Sequence, residues 1–345
     1  MRRSLAAAIA AAALLAMTGT ANALSTVTEY SVLPSSPLPC TVARDAQSGN
    51  VYFSPMLGVT HTSVGSIGVL NPTTGAVTNI ALPNRLATPG GMAFGANGDL
   101  YVAEYLAGNA IAELDPTTDT FVQYPIPTLL SEPSSLVLGP DDAIWFIENG
   151  AQRLGRFDPV THRFTSYPLP SPGANLGLEI IERGAGDDIL FSLPDTNQIG
   201  AFNVVTHQFK TYTSPTPASL PQGVAAADGA IWFTETLGQK LARIDPATGN
   251  ITEFSLASTD SADPTLLAPF PGSMIAADNG DLYILNGATF GGDSITQFDP
   301  ITHAQTIIRT PTPASGPCDW DATSRGTLWF GELTAGKIGT LTVDR

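Results

Sequence analysis

The sequence predicts an all-β fold: a seven-bladed β-propeller with four strands per blade, in which the N-terminal strand completes the last blade. Three observations carry this reading. Paired aromatic or apolar residues recur at intervals of about 45 residues. A turn of the form Asp-Pro-x-Thr, or a close variant, follows most of these pairs. No segment sustains a helical period, whereas Gly (33) and Pro (28) are abundant. A repeat of roughly 40–50 residues with four short strands is the pattern of a propeller blade.

The chain of 345 residues begins with a targeting segment. Arg2 and Arg3 form a positive start, Leu5 to Met17 is apolar, and Ala21-Asn22-Ala23 is a small-residue cleavage pattern. This reads as a secretory signal over 1–23, which leaves 24–345 as a single domain of a secreted protein. The apolar run is too short to cross a bilayer, and no other stretch is long enough, so no membrane span is expected.

The pairs are Tyr52-Phe53, Tyr101-Val102, Trp145-Phe146, Leu190-Phe191, Trp232-Phe233, Tyr283-Ile284 and Trp329-Phe330. A second turn follows, as in Asp115-Pro116-Thr117-Thr118, Asp158-Pro159-Val160-Thr161 and Asp245-Pro246-Ala247-Thr248, with a degraded copy at Asn203-Val204-Val205-Thr206. Pro-rich links such as Tyr124-Pro125-Ile126-Pro127 then lead into the next unit. The seventh unit stops after a third strand at Lys337 to Val343. Thr26-Val27-Thr28-Glu29-Tyr30-Ser31 reads like Asn250-Ile251-Thr252-Glu253-Phe254-Ser255, so it is the expected donor of the missing fourth strand. Closure of this kind removes an open sheet edge.

The two cysteines fit the same closure. Cys40 follows Pro39 at the start of the inner strand of blade 1, and Cys318 follows Pro317 at the equivalent place in blade 7. Equivalent positions on neighbouring inner strands come within disulfide reach, and an even pair in an oxidising compartment is expected to bond.

Composition excludes some partners. Hydrophobic residues make up 43% and charged residues only 13%, with a formal charge of −16. A chain this acidic has no surface for neutralising phosphates, so nucleic acid is not an expected partner, and anionic membranes are disfavoured likewise. A small molecule or an extracellular partner is expected instead, bound by a monomer.

His162, His207 and His303 share one slot in the outer hairpin turn, where other blades carry Gly75 and Gly249, so they read as structural. His61 falls in an insertion of blade 1. A histidine base or metal ligand at the axis is therefore not expected. Carboxylates recur instead just after the aromatic pairs, as Glu104, Glu148, Glu235 and Glu332. Convergence on one mouth would raise their pKa values or hold a cation; recurrence at one repeat position fits a hydrogen bond to a neighbouring blade's loop better. Asp319 and Trp320, on the last inner strand, are further candidates for lining the channel and binding a ligand. Asn250-Ile251-Thr252 is a glycosylation sequon. The long inserts Asp260 to Pro269 and Asn286 to Asp293 are candidate specificity loops.

Ile-Trp-Phe-Thr-Glu with Lys-Leu-Ala-Arg-Ile-Asp and Ile-Thr-Glu-Phe, within 231–254, resembles the streptogramin B lyase (virginiamycin B lyase) family. So does Leu-Trp-Phe-Gly-Glu-Leu-Thr-Ala-Gly-Lys-Ile-Gly at 328–339, and the likeness covers about 25–345. The resemblance implies a seven-bladed propeller and, for the lyases proper, opening of a cyclic depsipeptide antibiotic by elimination with Mg2+ at the central top face. It also implies a histidine after the inner-strand proline of blades 6 and 7, where this chain has Gly272 and Cys318. The acid expected before the blade 7 proline is Gly316, and the tyrosine expected in blade 1 is Cys40. Glu332 alone matches. The expected function is a secreted lyase-like propeller that has lost the lyase histidines and binds a ligand or partner at the top face. The alternative is an enzyme acting on a cyclic ester or related metabolite through carboxylates and a divalent metal, with Glu332 and Glu235 as catalytic candidates.

Overall fold

The structure is a computed structural model that describes residues 26–33, 38–55, 65–170, 180–257, 270–287, 292–321 and 326–343. The signal segment, His61, and most of the two long inserts lie outside the described residues. Seven four-stranded antiparallel sheets are present, each ordered from an inner to an outer strand along the chain. They span 39–81, 89–125, 133–168, 181–213, 221–255, 271–309 and 317–342. The last sheet takes its outer strand, Val27–Ser31, from the start of the chain, paired antiparallel with the third strand, Lys337–Thr342. The N-terminal closure is as expected.

The second strand of each blade explains the aromatic repeat. Leu100–Glu104, Ile144–Glu148 and Ala230–Glu235 are buried at every residue. A strand covered on both sides reads as a continuous apolar run rather than an alternating one. Trp145 and Trp232 are at most 1% exposed. In blades 1, 3, 4 and 7 the second member of the pair, a phenylalanine, lies over a glycine of the third strand. A Cβ on Gly155 would fall 2.4 Å from Phe146, so this position admits no side chain while the phenylalanine stays in place.

The packing between blades is apolar and continuous. One core cluster joins Trp145 of blade 3 to Phe191 and Phe202 of blade 4, and another joins Tyr283 of blade 6 to Trp320 and Phe330 of blade 7. The outer Asp-Pro turns are set by the side chain that opens them: the Asp158 carboxylate accepts the amides of Val160 and Thr161 at 3.1 and 2.9 Å. His162, His207 and His303 close these turns with φ of 55°, 55° and 61°. Each ring is stacked on the phenylalanine of its own third strand, Phe157, Phe202 or Phe298. Each also meets an aromatic of the preceding blade: Tyr124, Tyr167 and Phe254, at 4.8, 5.3 and 4.5 Å. The histidines are wedges at the rim, consistent with the structural role read from their spacing.

Candidate functional site

The inner strand of each blade starts at a proline in blades 1–3 and 5–7. In five of these the proline pairs with the acid or amide that ends the second strand: Pro89 with Glu104, Pro133 with Glu148, Pro221 with Glu235, Pro271 with Asn286 and Pro317 with Glu332. The register then slips before pairing resumes, as between Pro221 and Val224 or Pro317 and Trp320. Such bulges re-aim the residues they contain. Gln222 and Gly223, Gly272 and Ser273, Cys318 and Asp319 thus leave the ladder at the mouth of the ring.

These residues stitch neighbouring blades together. Between blades 5 and 6, the Thr236 hydroxyl donates to the Pro271 carbonyl at 2.7 Å while lying 3.1 Å from Gln222 Oε1 of its own blade, and Thr234 donates to the Gly272 carbonyl at 2.8 Å. Between blades 6 and 7, the Ser273 hydroxyl donates to Asp319 Oδ1 at 2.7 Å, which also accepts the Trp320 amide at 3.0 Å. Between blades 7 and 1, Cys318 and Cys40 form a disulfide with Cα atoms 5.2 Å apart. Asp319 is half-buried. Burial raises its carboxyl to about 6, against the Ser273 and Trp320 hydrogen bonds that favour the ionised form. Trp320, by contrast, turns away from the mouth: it is 4% exposed and packs edge-on against Phe330 with ring centres 5.2 Å apart. Of the two candidates on this strand, only Asp319 has surface to offer a ligand.

The four glutamates do not gather at the mouth. All four are at most 1% exposed, and those with defined partners face their own blade's outer strands and the preceding link. Glu104 accepts from Gln123, and burial raises its carboxyl despite that bond. Glu235 accepts from Ser214 of the link before blade 5, and burial raises its carboxyl against that hydrogen bond. Glu332 lies by Ser315, Glu29 and Lys337; burial, then the Glu29 charge, push its carboxyl up to about 8. Glu148 occupies the same register position in blade 3. The recurrence puts a buried carboxylate at one register position in four blades, with Gln123 of its own outer strand as partner in blade 2 and Ser214 of the preceding link in blade 5. Asn250, the sequon residue, is exposed in the outer turn of blade 5.

Magnesium does not fit the residues present. Among the described residues no three His, Cys, Asp or Glu side chains are placed to hold a metal ion. The blade 6 and 7 positions where the family resemblance calls for histidine offer a glycine and a disulfide sulfur. The matching Glu332 is fully buried beside an ammonium. Hard oxygen ligands in octahedral array are not available among the described residues.

Sequence reasoning missed Ser273, Gln222 and Thr236, which organise the mouth, because single hydroxyl and amide residues carry no repeat signal. It also missed the lysines Lys240 and Lys337, although the near-identical links Ser214-Pro215-Thr216-Pro217-Ala218-Ser219 and Thr310-Pro311-Thr312-Pro313-Ala314-Ser315 could have exposed them.

The virginiamycin B lyase family profile matches residues 25–274 and 172–345. Virginiamycin B lyase from Staphylococcus aureus superposes with a TM-score of 0.76 at 24% identity, covering 93% of this chain and 100% of that one. A catalytically inactive variant of the S. aureus lyase, crystallised with quinupristin, superposes with a TM-score of 0.75 at 24% identity and the same coverage. YCF48 bound to D1 peptide superposes with a TM-score of 0.66 at 11% identity, over 93% of this chain and 97% of that one. No curated protein matches the chain.

Proposed function

The chain belongs to the virginiamycin B lyase family, and we propose that it is a secreted member that binds a ligand at the mouth of the ring without performing the lyase elimination. One observation carries this reading. The place on blade 7 where the family resemblance calls for a proton-moving histidine is Cys318, and its sulfur is spent in the bond to Cys40. A disulfide has no proton to give or take. Gly272 removes the second such group. What the mouth keeps is recognition chemistry: the Asp319 carboxylate and the Ser273 and Thr236 hydroxyls, held by bonds between blades, and the Gln222 amide beside Thr236. A fixed polar set on rigid strands suits a ligand that presents hydrogen-bond donors, whether a small molecule or a peptide end. The peptide-bound propeller YCF48 lends this reading support at the level of the fold, since one fold hosts many functions.

An enzymatic reading rests on Asp319, whose raised carboxyl could exchange a proton near neutral pH. Glu235 and Glu332, the sequence-based catalytic candidates, have no exposed surface through which to reach a substrate. Quinupristin separates the readings. Binding without ring opening is expected, seen as thermal stabilisation of the wild type that Asp319→Asn reduces at least several-fold in apparent affinity. Ring opening abolished by Asp319→Asn would establish the enzymatic reading. If neither quinupristin nor a library of small metabolites and peptides stabilises the protein, the binding reading fails.

A further inference from the structure

The outer three strands of blade 7 carry two acids and one base on a shared face. Glu332 lies directly opposite Lys337, and Glu29 lies opposite Gly339, two residues along from Lys337. Side chains two apart on a strand share a face, so Glu332, Lys337 and Glu29 form one ladder across three strands. The ladder joins the two ends of the chain, because Glu29 belongs to the N-terminal strand.

Glu29 is fully served as a carboxylate. Lys337 Nζ lies 2.5 Å from its Oε2, and Thr312 donates to it from the backbone amide at 2.7 Å and from the hydroxyl at 2.6 Å. Burial works to raise the Glu29 carboxyl, but the Lys337 and Thr312 hydrogen bonds hold it below the ordinary value. Glu332 is not served. It has no exposed surface, and neither of its oxygens has a hydrogen-bond donor in place among the described residues. The Lys337 ammonium is already shared between Glu29 and the Thr312 hydroxyl. The Ser315 hydroxyl beside Glu332 favours its ionised form, but it also meets the Thr310 hydroxyl at 2.9 Å, and burial and the Glu29 charge outweigh it. The groups that face Glu332 are Glu29 from the outer strand and Lys337 from the third. The link contributes the hydroxyls of Thr312 and Ser315, and blade 1 brings the backbone of Pro39 and Cys40 against Gly331. Two carboxylates against one ammonium leave one negative charge uncompensated in a closed pocket, and an unpaired buried charge is relieved by taking up a proton.

We propose that Glu332 takes a proton from solvent on folding and keeps it at neutral pH, so that the seam between the chain ends is a proton-dependent clasp that loosens as the medium becomes alkaline. The inference rests on the fold and is independent of what the mouth binds. The sign follows from linkage. The folded chain holds a proton that the unfolded chain releases near the ordinary glutamate value of 4.5. The stabilisation is complete below that value, declines as pH rises through the window up to about 8, and is gone above it. Blade 5 carries the same ladder, Glu235, Lys240 and Glu253, but all three belong to one continuous stretch of chain. Loosening there does not open the ring.

Two measurements on the intact protein test the clasp. In hydrogen exchange, the amides of Val27–Ser31 are expected to lose protection between about pH 6 and about pH 9 by at least tenfold beyond the intrinsic base-catalysed increase, while those of Ile251–Ser255 follow the intrinsic rate. In Glu332→Gln, a permanent mimic of the protonated side chain, that excess is expected to vanish. Infrared spectroscopy of the wild type is expected to show protonated-carboxyl absorption at neutral pH that is smaller by one carboxyl in Glu332→Gln. A wild-type spectrum whose carboxyl bands all titrate near 4.5, or the same excess exchange in Glu332→Gln as in wild type, would overturn the proposal. A wild type in which every carboxyl band titrates near 4.5 overturns the proposal even where the variant does not fold.

Discussion

Blades 5 and 7 are built on one plan from different covalent material. Both place a lysine opposite the glutamate that ends the second strand, and a second glutamate on the outer strand beside that lysine. Lys240 Nζ meets Glu253 at 2.7 Å and Thr216 Oγ1 at 2.8 Å; Lys337 Nζ meets Glu29 and Thr312 Oγ1, both at 2.5 Å. In blade 5 the outer strand follows the third through a short hairpin turn. In blade 7 it arrives from the far end of the chain, 308 residues away. The charged contact is also more enclosed at the seam: the Glu29 side chain is 7% exposed, against 22% for Glu253. The comparison teaches that ring closure is specified by side chains as well as by backbone pairing. A strand that could pair anywhere on an exposed edge is held at one edge because its glutamate completes a polar ladder that would otherwise leave Lys337 and Thr312 without their acceptor.

The largest effect that separates the two blades is removal of residues 26–33. Blade 7 would lose its outer strand and expose an unpaired edge along Lys337–Thr342, and the product is expected to be insoluble or devoid of a cooperative unfolding transition, measured by size exclusion and circular dichroism. Next is the disulfide, which blade 5 lacks. Cys40→Ser with Cys318→Ser frees the closure of a very long loop and is expected to lower stability by about 4 kcal/mol in denaturant titration. A loss below about 1 kcal/mol would show that strand pairing alone fixes the seam.

The lysines give a matched pair of smaller effects. Lys337→Met strands Glu29 in a mostly closed site and is expected to cost about 2 kcal/mol. Lys240→Met, beside a more exposed glutamate, is expected to cost about half as much. Equal losses would mean that enclosure at the seam adds nothing. The smallest effect concerns the inner glutamates. At a pH of about 7.5, Glu332→Gln is expected to raise the melting temperature by a few degrees and to flatten its decline toward pH 9. Glu235→Gln is expected to act in the same direction, since burial raises both carboxyls.

The parts of this molecule that repeat were legible in its sequence. Trp145, Trp232 and Trp329 mark buried second strands because a large flat side chain packs at the same place in six of the seven blades, with Leu190 in the other. The Asp-Pro turns are legible because an aspartate that caps its own turn leaves a signature independent of the rest of the fold. The likeness between Val27–Ser31 and Ile251–Ser255 reveals the closure for the same reason. The mouth was only half legible. Cys40 and Cys318 follow prolines, and a proline at the start of six of the seven inner strands fixes where the bulge falls. The direction in which Asp319 and Trp320 point depends on the bulge itself, which sends one to the mouth and the other into the core between blades 6 and 7. Glu104, Glu148, Glu235 and Glu332 share a position but face outward beneath the links, a direction that residue spacing does not encode.

The disulfide between blades 1 and 7 is where closure and the proposed function meet, since it ties the seam at the place where the family resemblance calls for a histidine. Peptide mapping of the native protein by mass spectrometry, with and without reduction, tests it directly. The account requires a single peptide pair joined through Cys40 and Cys318 that separates on reduction. Two alkylatable thiols in the native protein would contradict it.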